Sequence, residues 1–358
     1  MTDARWMDRA LFHAARGAGR TSPNPLVGAV IVSPDGVLVG QGFHERAGGA
    51  HAEVCAIDDA GARARGATMY CTLEPCAHIG RTGPCAGRIV DAGIARVVAA
   101  VEDPNPLVSG RGFTYLREHG VRVDVGLGAA RAASMNQPFF TLMREGRPFV
   151  VLKAAVSADG FIAESPGRRT FLTSAVANRH AHRMRAEVDA IAVGVGTILA
   201  DDPALTARGA YRERPLTRVI FDRTLRTPPG ARVLSTLDAG PVIIVTDGIT
   251  IDRDVRRALE SRGAEVMAAA NGSIRDVLSL LGKRDIGSLL IEGGATLHGA
   301  AWDEGAVDFV RLYIAPTTLG AGVALLPGRH FSSSELIERR VETLGPDVMI
   351  EGYVHGPR

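Results

Sequence analysis

His51, Glu53, Cys76 and Cys85 are the residues whose types and spacing best suit chemistry. One imidazole and two thiolates make a three-ligand zinc set and leave a fourth coordination position for water. Bound zinc brings the pKa of such a water down to about 7, so a nucleophile is available at neutral pH. Glu53 lies two residues from His51, so it can face that water without ligating the metal. A carboxylate there can carry protons to a ring nitrogen and then to departing ammonia, as hydrolytic deamination requires.

His-x-Glu followed by Pro-Cys and a further Cys marks the zinc nucleobase deaminases. Here Cys76 and Cys85 are separated by eight residues rather than two. Both thiolates can still meet one ion if residues 77–84 bulge out as a loop. Cys85 would then begin a helix, whose positive end lowers a thiol pKa. A His-Ala-Glu triplet alone is an ordinary helix start; its conjunction with Pro75-Cys76 and Cys85 makes the metal reading specific. A closed structural zinc site stays open as the other reading, with Cys71, His78 or Cys55 as fourth ligand. Cys55 falls on the apolar side of a helix and Cys71 within a strand, so both read as small core residues.

An α/β scaffold must hold these groups. Helical patterning covers residues 6–15, 52–60, 84–92 and 112–119, and strand patterning covers 26–32, 37–43, 67–73, 95–101 and 121–125. Pro34-Asp35-Gly36 makes a hairpin of the first two strands. Alternating strands and helices predict a mixed or parallel sheet flanked by helices. The polar, Gly- and Pro-containing run 143–148 places a boundary between domains 1–146 and 147–358. In the second half, strands are expected at 149–156, 190–195, 217–221, 241–245, 288–291 and 308–315. Helices are expected there at 174–187, 253–261, 274–281 and 295–302. The Pro-, Gly- and Arg-rich loop 201–215 could contribute to a ligand site. A standard Rossmann GxGxxG is not evident. Gly293-Gly294 stands between a strand and a helix, where backbone N–H groups can surround a phosphate; alone, the pair also reads as a tight turn.

Five runs of the first half resemble the riboflavin-pathway deaminase family. They are Thr21-Ser-Pro-Asn-Pro-Leu-Val-Gly28, Gly42-Phe-His-Glu-Arg-Ala-Gly-Gly49, His51-Ala-Glu53, the run from Thr72 to Cys85 and Asp103-Pro-Asn-Pro106. The resemblance implies a cytidine-deaminase-like fold, zinc on His51, Cys76 and Cys85, and Glu53 as proton shuttle. It also implies that Asn24, His78 and Arg81 help hold a pyrimidine and its phosphoribosyl arm. Read from sequence alone, Asn24 is equally a turn residue between two prolines.

Leu152 to Gly160, Thr197 to Thr206 and Ile291 to Leu297 resemble the riboflavin-pathway reductase family, whose fold is similar to dihydrofolate reductase. Together the runs point to the bifunctional family in which deaminase and reductase are fused. The resemblance implies that Ala155, Phe171, Thr197, Asp201, Arg223 and the turn and helix Gly294, Ala295, Thr296, Leu297, His298, Gly299 and Ala300 contact NADPH. It assigns Arg169, Arg185, Leu205, Arg208 and Glu292 to a phosphoribosyl substrate. Guanidinium groups such as those of Arg185 and Arg208 suit phosphate, though an exposed Arg is ordinarily only solvated. Lys153 and Asp159 flank the expected nicotinamide pocket, where each could orient groups or serve in packing.

The composition narrows the alternatives. A net charge of +2, with 41 basic against 39 acidic side chains, argues against a nucleic-acid or anionic-membrane footprint. All four cysteines fall between positions 55 and 85, which suits metal or catalysis better than a disulfide framework. The N-terminus lacks an apolar signal region, and no run reaches the roughly 18–20 apolar residues that cross a bilayer. A cytoplasmic homo-oligomer acting on a small phosphoribosyl pyrimidine, with one zinc per chain and NADPH, is expected. The rivals are a nucleoside or RNA deaminase with an accessory nucleotide-binding domain, and a non-enzymatic zinc module.

Overall fold

The computed structural model describes residues 2–77, 84–106, 108–168, 170–249, 252–269, 272–329 and 331–356. The chain divides into two units, Met1–Glu145 and Gly146–Gly356.

In the first unit the order is α1 (Asp3–Ala15), β1 (Gly28–Val32), β2 (Leu38–Phe43), α2 (Ala52–Ala60), β3 (Thr68–Cys71), α3 (Cys85–Asp91), β4 (Arg96–Ala99), α4 (Arg111–Glu118), β5 (Arg122–Val125), α5 (Ala129–Met135) and α6 (Gln137–Glu145). The sheet runs β2-β1-β3-β4-β5. β1 is antiparallel to β2 and β3, and β3, β4 and β5 are parallel. Every residue of β1 is buried, as a strand covered on both faces must be. Its Ala29 and Ile31 join Ala52, Ala56, Ile89, Phe113 and Leu116 in one core. Its Val30 and Val32 join Trp6, Met7 and Leu11 in the other. α1 therefore covers one face, while α2, α3 and α4 cover the face from which the chemistry-bearing helix starts project.

The second unit contains β6 (Phe149–Val156), β7 (Phe161–Ala163), α7 (Ala175–Glu187), β8 (Ala190–Gly194), α8 (Val195–Asp201), β9 (Thr217–Phe221), β10 (Val242–Thr246), α9 (Arg253–Ser261), β11 (Ala264–Ala268), α10 (Ile274–Gly282), β12 (Ser288–Glu292), α11 (Ala295–Asp303), β13 (Phe309–Ile314), β14 (Val323–Ala324), β15 (Ile337–Leu344) and β16 (Asp347–Tyr353). Nine strands form one sheet in the order β11-β10-β9-β8-β12-β6-β13-β16-β15. The pairs from β11 to β13 are parallel, and β16 and β15 are added antiparallel. β7 and β14 form a small separate ribbon. The central strands are apolar and buried on both sides, as in Ala190–Gly194 and Ser288–Glu292. β12 lies between β8 and β6, so the chain returns to the middle of the sheet after building one flank.

Arg218 on β9 is fully buried. Its guanidinium donates to the carbonyl oxygens of Ala204 at 3.4 Å, Pro241 at 3.4 Å and Thr236 at 2.9 Å, to Gly240 O, and to Thr236 Oγ1 at 3.2 Å. Five neutral oxygens replace the water lost on burial and tie residue 204 to the turn before β10. An Arg218→Met substitution removes the guanidinium donors from these acceptors, of which Pro241 O and Thr236 O keep a backbone N–H from residue 218 and Ala239. It is expected to lower the stability of the second unit by about 2–4 kcal/mol, measured by urea denaturation.

Candidate functional site

The residues expected to hold a metal meet in the first unit. His51 is the N-cap of α2, Cys76 lies on the segment after β3, and Cys85 opens α3. His51 Nδ1 is 3.2 Å from Cys85 Sγ and 3.6 Å from Cys76 Sγ. The Cys85 backbone N–H points at Cys76 Sγ at 3.5 Å. Zinc bonds of about 2.0–2.3 Å in tetrahedral geometry put neighbouring ligand atoms about 3.3–3.8 Å apart, so the donor set and its spacing fit zinc. Among the described residues, this trio is the sole group of three or more such ligands that gathers, all its donor atoms lying within 4.8 Å of one another. Cys55 and Cys71 are not part of it; His78 and Arg81 lie outside the described residues.

Electrostatics favour a thiolate here. The hydrogen bond from Cys85 lowers the Cys76 thiol well below its ordinary value against the effect of burial, with His51 adding to it. Cys85 is held up because it keeps the shared proton. A metal ion takes that proton's place when both sulfurs ligate. Glu53, in the first turn of α2, is 3% exposed. Burial pushes its carboxyl up to about 7, with His51 opposing and Cys76 reinforcing. A carboxyl poised near neutrality is suited to giving and taking protons.

Asn24 Nδ2 donates to His44 Nε2 at 3.1 Å, and His44 Nδ1 donates to Ala50 O at 3.0 Å. These partners make His44 neutral with its proton on Nδ1, and burial lowers its pKa further. Its ring sits edge-on to His51, with centroids 5.6 Å apart. His44 was not singled out from sequence, although it lies inside the run 42–49; only the fold reveals that it braces both Asn24 and the metal-binding imidazole.

In the second unit a cavity of about 780 Å³ opens at the C-terminal ends of β6, β8 and β12. This is where parallel α/β sheets bind ligands. Its wall includes Ala155, Phe171, Thr197, Asp201, Gly294, Ala295, Thr296 and His298 from the expected cofactor set, and Arg185, Leu205, Arg208 and Glu292 from the expected substrate set. Leu297, Gly299, Ala300 and Arg223 do not line it. Leu297 is instead buried in the core, and Arg223 pairs with Asp247 at 3.3 Å. Arg169 lies outside the described residues. Asn178 and Arg232 line the cavity and were not foreseen; no local motif distinguishes either one in the sequence.

The cavity wall holds a compact charge cluster. Arg185 grips Glu292 through two hydrogen bonds of 2.9 and 2.6 Å, and its third nitrogen donates to Thr206 O at 3.2 Å. Lys153 Nζ is 3.9 Å from Glu292 and 5.5 Å from the centroid of the Tyr313 ring. Burial alone would raise the Glu292 carboxyl, but Arg185 and Lys153 hold it down to about 2. Burial lowers the Lys153 pKa. The Arg185 fork is thus occupied by a carboxylate rather than waiting for phosphate, while Arg208 makes no ion pair among the described residues. Asp159 does not line the cavity; its carboxylate accepts from the Leu319 and Gly320 N–H groups and fixes that turn.

Gly293 and Gly294 have φ of 85° and 89°, a conformation that side chains resist. A Cβ on Gly293 would sit 3.1 Å from Thr197 Oγ1. The Gly293 N–H donates to His298 Nε2 at 3.2 Å, and burial lowers His298 to about 4. The turn leaves the N-terminus of α11 facing the cavity, a setting that suits an anionic group.

Comparison with known proteins follows this division. Residues 1–101 match the cytidine and deoxycytidylate deaminase zinc-binding region, and residues 148–350 match the RibD C-terminal domain. The riboflavin biosynthesis protein RibD of Aquifex aeolicus (strain VF5) is 40% identical over 351 residues, covering 97% of both chains. The chain belongs to the RibD family. RibD of Escherichia coli (strain K12) is also 40% identical, covering 98% of this chain and 99% of its own. The solved RibD of Acinetobacter baumannii, form 1, superposes with a TM-score of 0.86 at 37% identity, over 98% of each chain. A Thermotoga maritima structure described as a diaminohydroxyphosphoribosylaminopyrimidine deaminase/5-amino-6-(5-phosphoribosylamino)uracil reductase gives 0.83 at 34% identity, over 97% of each. Like its RibD relatives, this family member joins a deaminase unit to a reductase unit.

Replacing Cys76 by Ala is expected to strip most zinc from the purified protein, read by atomic absorption beside the parent. The second site has an acid signature. Glu292 titrates at about 2 against an ordinary value of 4.5, so the unfolded chain binds more protons than the native one as pH falls. The stability it contributes is full above about 4.5 and disappears as pH drops towards 2. Melting curves of the second unit should decline across that window, and Glu292→Gln should flatten that part of the profile.

Proposed function

We propose that the chain carries out two consecutive steps of riboflavin biosynthesis. The first is hydrolytic deamination of 2,5-diamino-6-(5-phosphoribosylamino)pyrimidin-4(3H)-one, with water in and ammonia out. The second is NADPH-dependent reduction of the ribosyl group to give 5-amino-6-(5-phosphoribitylamino)uracil. The observation that carries this reading is the meeting of His51, Cys76 and Cys85 beside the buried, unligated carboxyl of Glu53.

Zinc, when bound, supplies a Lewis acid that makes water nucleophilic near neutral pH. His51, Cys76 and Cys85 hold it. Glu53 takes a proton from the attacking water, delivers it to the ring nitrogen and returns it to the leaving amine. Asn24, oriented by His44, is assigned to the pyrimidine edge, with His78 and Arg81 towards the phosphoribosyl arm.

NADPH, when bound, supplies hydride to C1′ of the opened ribosyl group. Thr197, Asp201, Ala155, Phe171 and, on the α11 turn, Gly294, Ala295, Thr296 and His298 are assigned to the dinucleotide. Leu297, Gly299, Ala300 and Arg223 act on it from behind the wall, by supporting the helix or shaping the rim. Lys153 holds the proton that the ring oxygen takes up on opening, with the ionised Glu292 carboxylate beside it at 3.9 Å. Arg185 keeps Glu292 ionised and in place, and leaves phosphate to Arg208, with Leu205 on the substrate wall and Arg169 assigned to the same substrate. A cavity of about 780 Å³ has room for a sizeable ligand by the usual scale of such sites.

The same reading extends to setting. All four cysteines are free thiols, which suits a reducing cytoplasm. No helix among the described residues is long and apolar enough to cross a membrane. β15 is exposed over all but its last residue at the outer edge of the sheet, and an unpaired edge can be extended by a second copy; a homo-oligomer is therefore part of the proposal.

A coupled assay tests it. With zinc-loaded protein and the diaminopyrimidine ribotide, ammonia release and NADPH oxidation are followed separately. Glu53→Ala is expected to slow ammonia release by about 10²–10⁴-fold and to leave reduction of added uracil intermediate intact. Turnover of cytidine or an RNA adenosine in place of the ribotide would overturn the assignment, as would loss of both activities together.

A further inference from the structure

Glu74 stands two residues before Cys76 and is 3% exposed. It touches none of the reacting groups described above. Its own N–H donates to Val101 O at 3.0 Å, just beyond β4. Its carboxylate accepts four backbone N–H groups. Oε2 takes Asp103 at 3.2 Å and Gly110 at 3.0 Å, and Oε1 takes Gly112 at 2.8 Å and Phe113 at 3.3 Å. Gly112 packs so closely that a Cβ there would lie 1.9 Å from Pro75 O. From the other side, the Ala86 N–H donates to Cys76 O at 3.1 Å and the Cys85 N–H points at Cys76 Sγ.

Cys76 is thus suspended between two anchors, the start of α3 and the carboxylate of Glu74. It belongs to no helix or strand of its own, so nothing in regular secondary structure sets where its sulfur points. We propose that Glu74 is a positioning residue of the metal site, which fixes Cys76 by binding Asp103, Gly110, Gly112 and Phe113 against residues 74–76. This rests on the zinc reading of the site. A bare helix cap for α4 would need one oxygen; here both are used, and one of them reaches back to residue 103, well before the helix. The segment so gathered includes Asp103, whose side chain accepts from the Asn105 N–H at 2.8 Å, so the loop is folded around the same anchor.

The test uses the full-length chain. Glu74→Gln is nearly isosteric, yet whichever way its amide turns, the NH2 faces two N–H groups that cannot accept from it. Zinc release to a chromogenic chelator is expected to quicken by about 10–100-fold, the usual effect of removing a group that orients a ligand. The thiolate-to-metal absorption of the cobalt-substituted protein is expected to shift in position or intensity. Reductase activity should stay within about twofold of the parent, since the second unit has its own core. Glu74→Asp keeps the charge and provides a second variant. Zinc release and cobalt absorption indistinguishable from the parent in both variants would overturn the proposal, even if the first unit melted earlier, because a plain helix cap predicts that pattern. Failure of both variants to fold the first unit would also overturn it and assign Glu74 to folding alone. If the parent binds zinc but leaves the diaminopyrimidine untouched, the proposed function fails while the zinc-release comparison still decides the role of Glu74.

Discussion

Three soft donors from three separate stretches of chain must reach within a few ångströms of one another, and none can be displaced far without opening the set. That constraint organises the first unit. His51 caps α2 and Cys85 opens α3, two helices that pack on the same face of the sheet, so their positions follow from the packing of α2 and α3. Both sit where helix dipoles favour negative charge, which helps a sulfur to ionise. Cys76 has no such support from regular structure. The burial of β1 on both faces, the close layering of α2 on β2 and the hydrogen bonds around residues 74–76 therefore bear on one small volume.

The second unit solves a different problem. It buries an ammonium, a carboxylate and a guanidinium together, and taking charges out of water is expensive unless they satisfy one another. Two cations around one anion leave a net positive wall. The geometry is good, with Arg185 and Glu292 in a two-bond fork, and the excess charge faces a cavity instead of the core. An anionic ligand would complete the neutralisation. The cluster is thus only partly compensated within the chain, and it is most at ease with an anionic occupant.

Much of this was legible in the sequence because it is local. The metal ligands announce themselves by type and spacing, and most helices and strands by periodicity. The expected helix start at Cys85 is met by α3, while most of the expected loop before it lies outside the described residues. What escaped was set by tertiary partners. α5 and α6 follow the last strand of the first unit and carry mixed patterns with Gln137-Pro138 at their junction, so no clean period stands out. β11, β15 and β16 have polar or mixed patterns, β11 and β15 because they are the two edges of the sheet. The pairing of Arg185 with Glu292 was not legible, since no sequence pattern reveals that the two, far apart in the chain, face each other. His44 was hidden for the same reason: its two partners, Asn24 and Ala50, become neighbours only when the hairpin and the start of α2 come together.

The place of β12 in the middle of the sheet has a consequence for how the second unit forms. β6 is the first strand of that unit, and its sheet neighbours are β12 and β13. Both are made late, so a growing chain carries an eight-residue strand, apolar but for Lys153, for well over a hundred residues of synthesis before either partner exists. Pairings this distant in sequence form slowly, and the waiting strand is open to self-association. The ligand crevice lies at the seam where β12 finally inserts. Acquisition of the crevice and closure of the sheet are therefore one event, and a chain truncated before residue 288 would lack both.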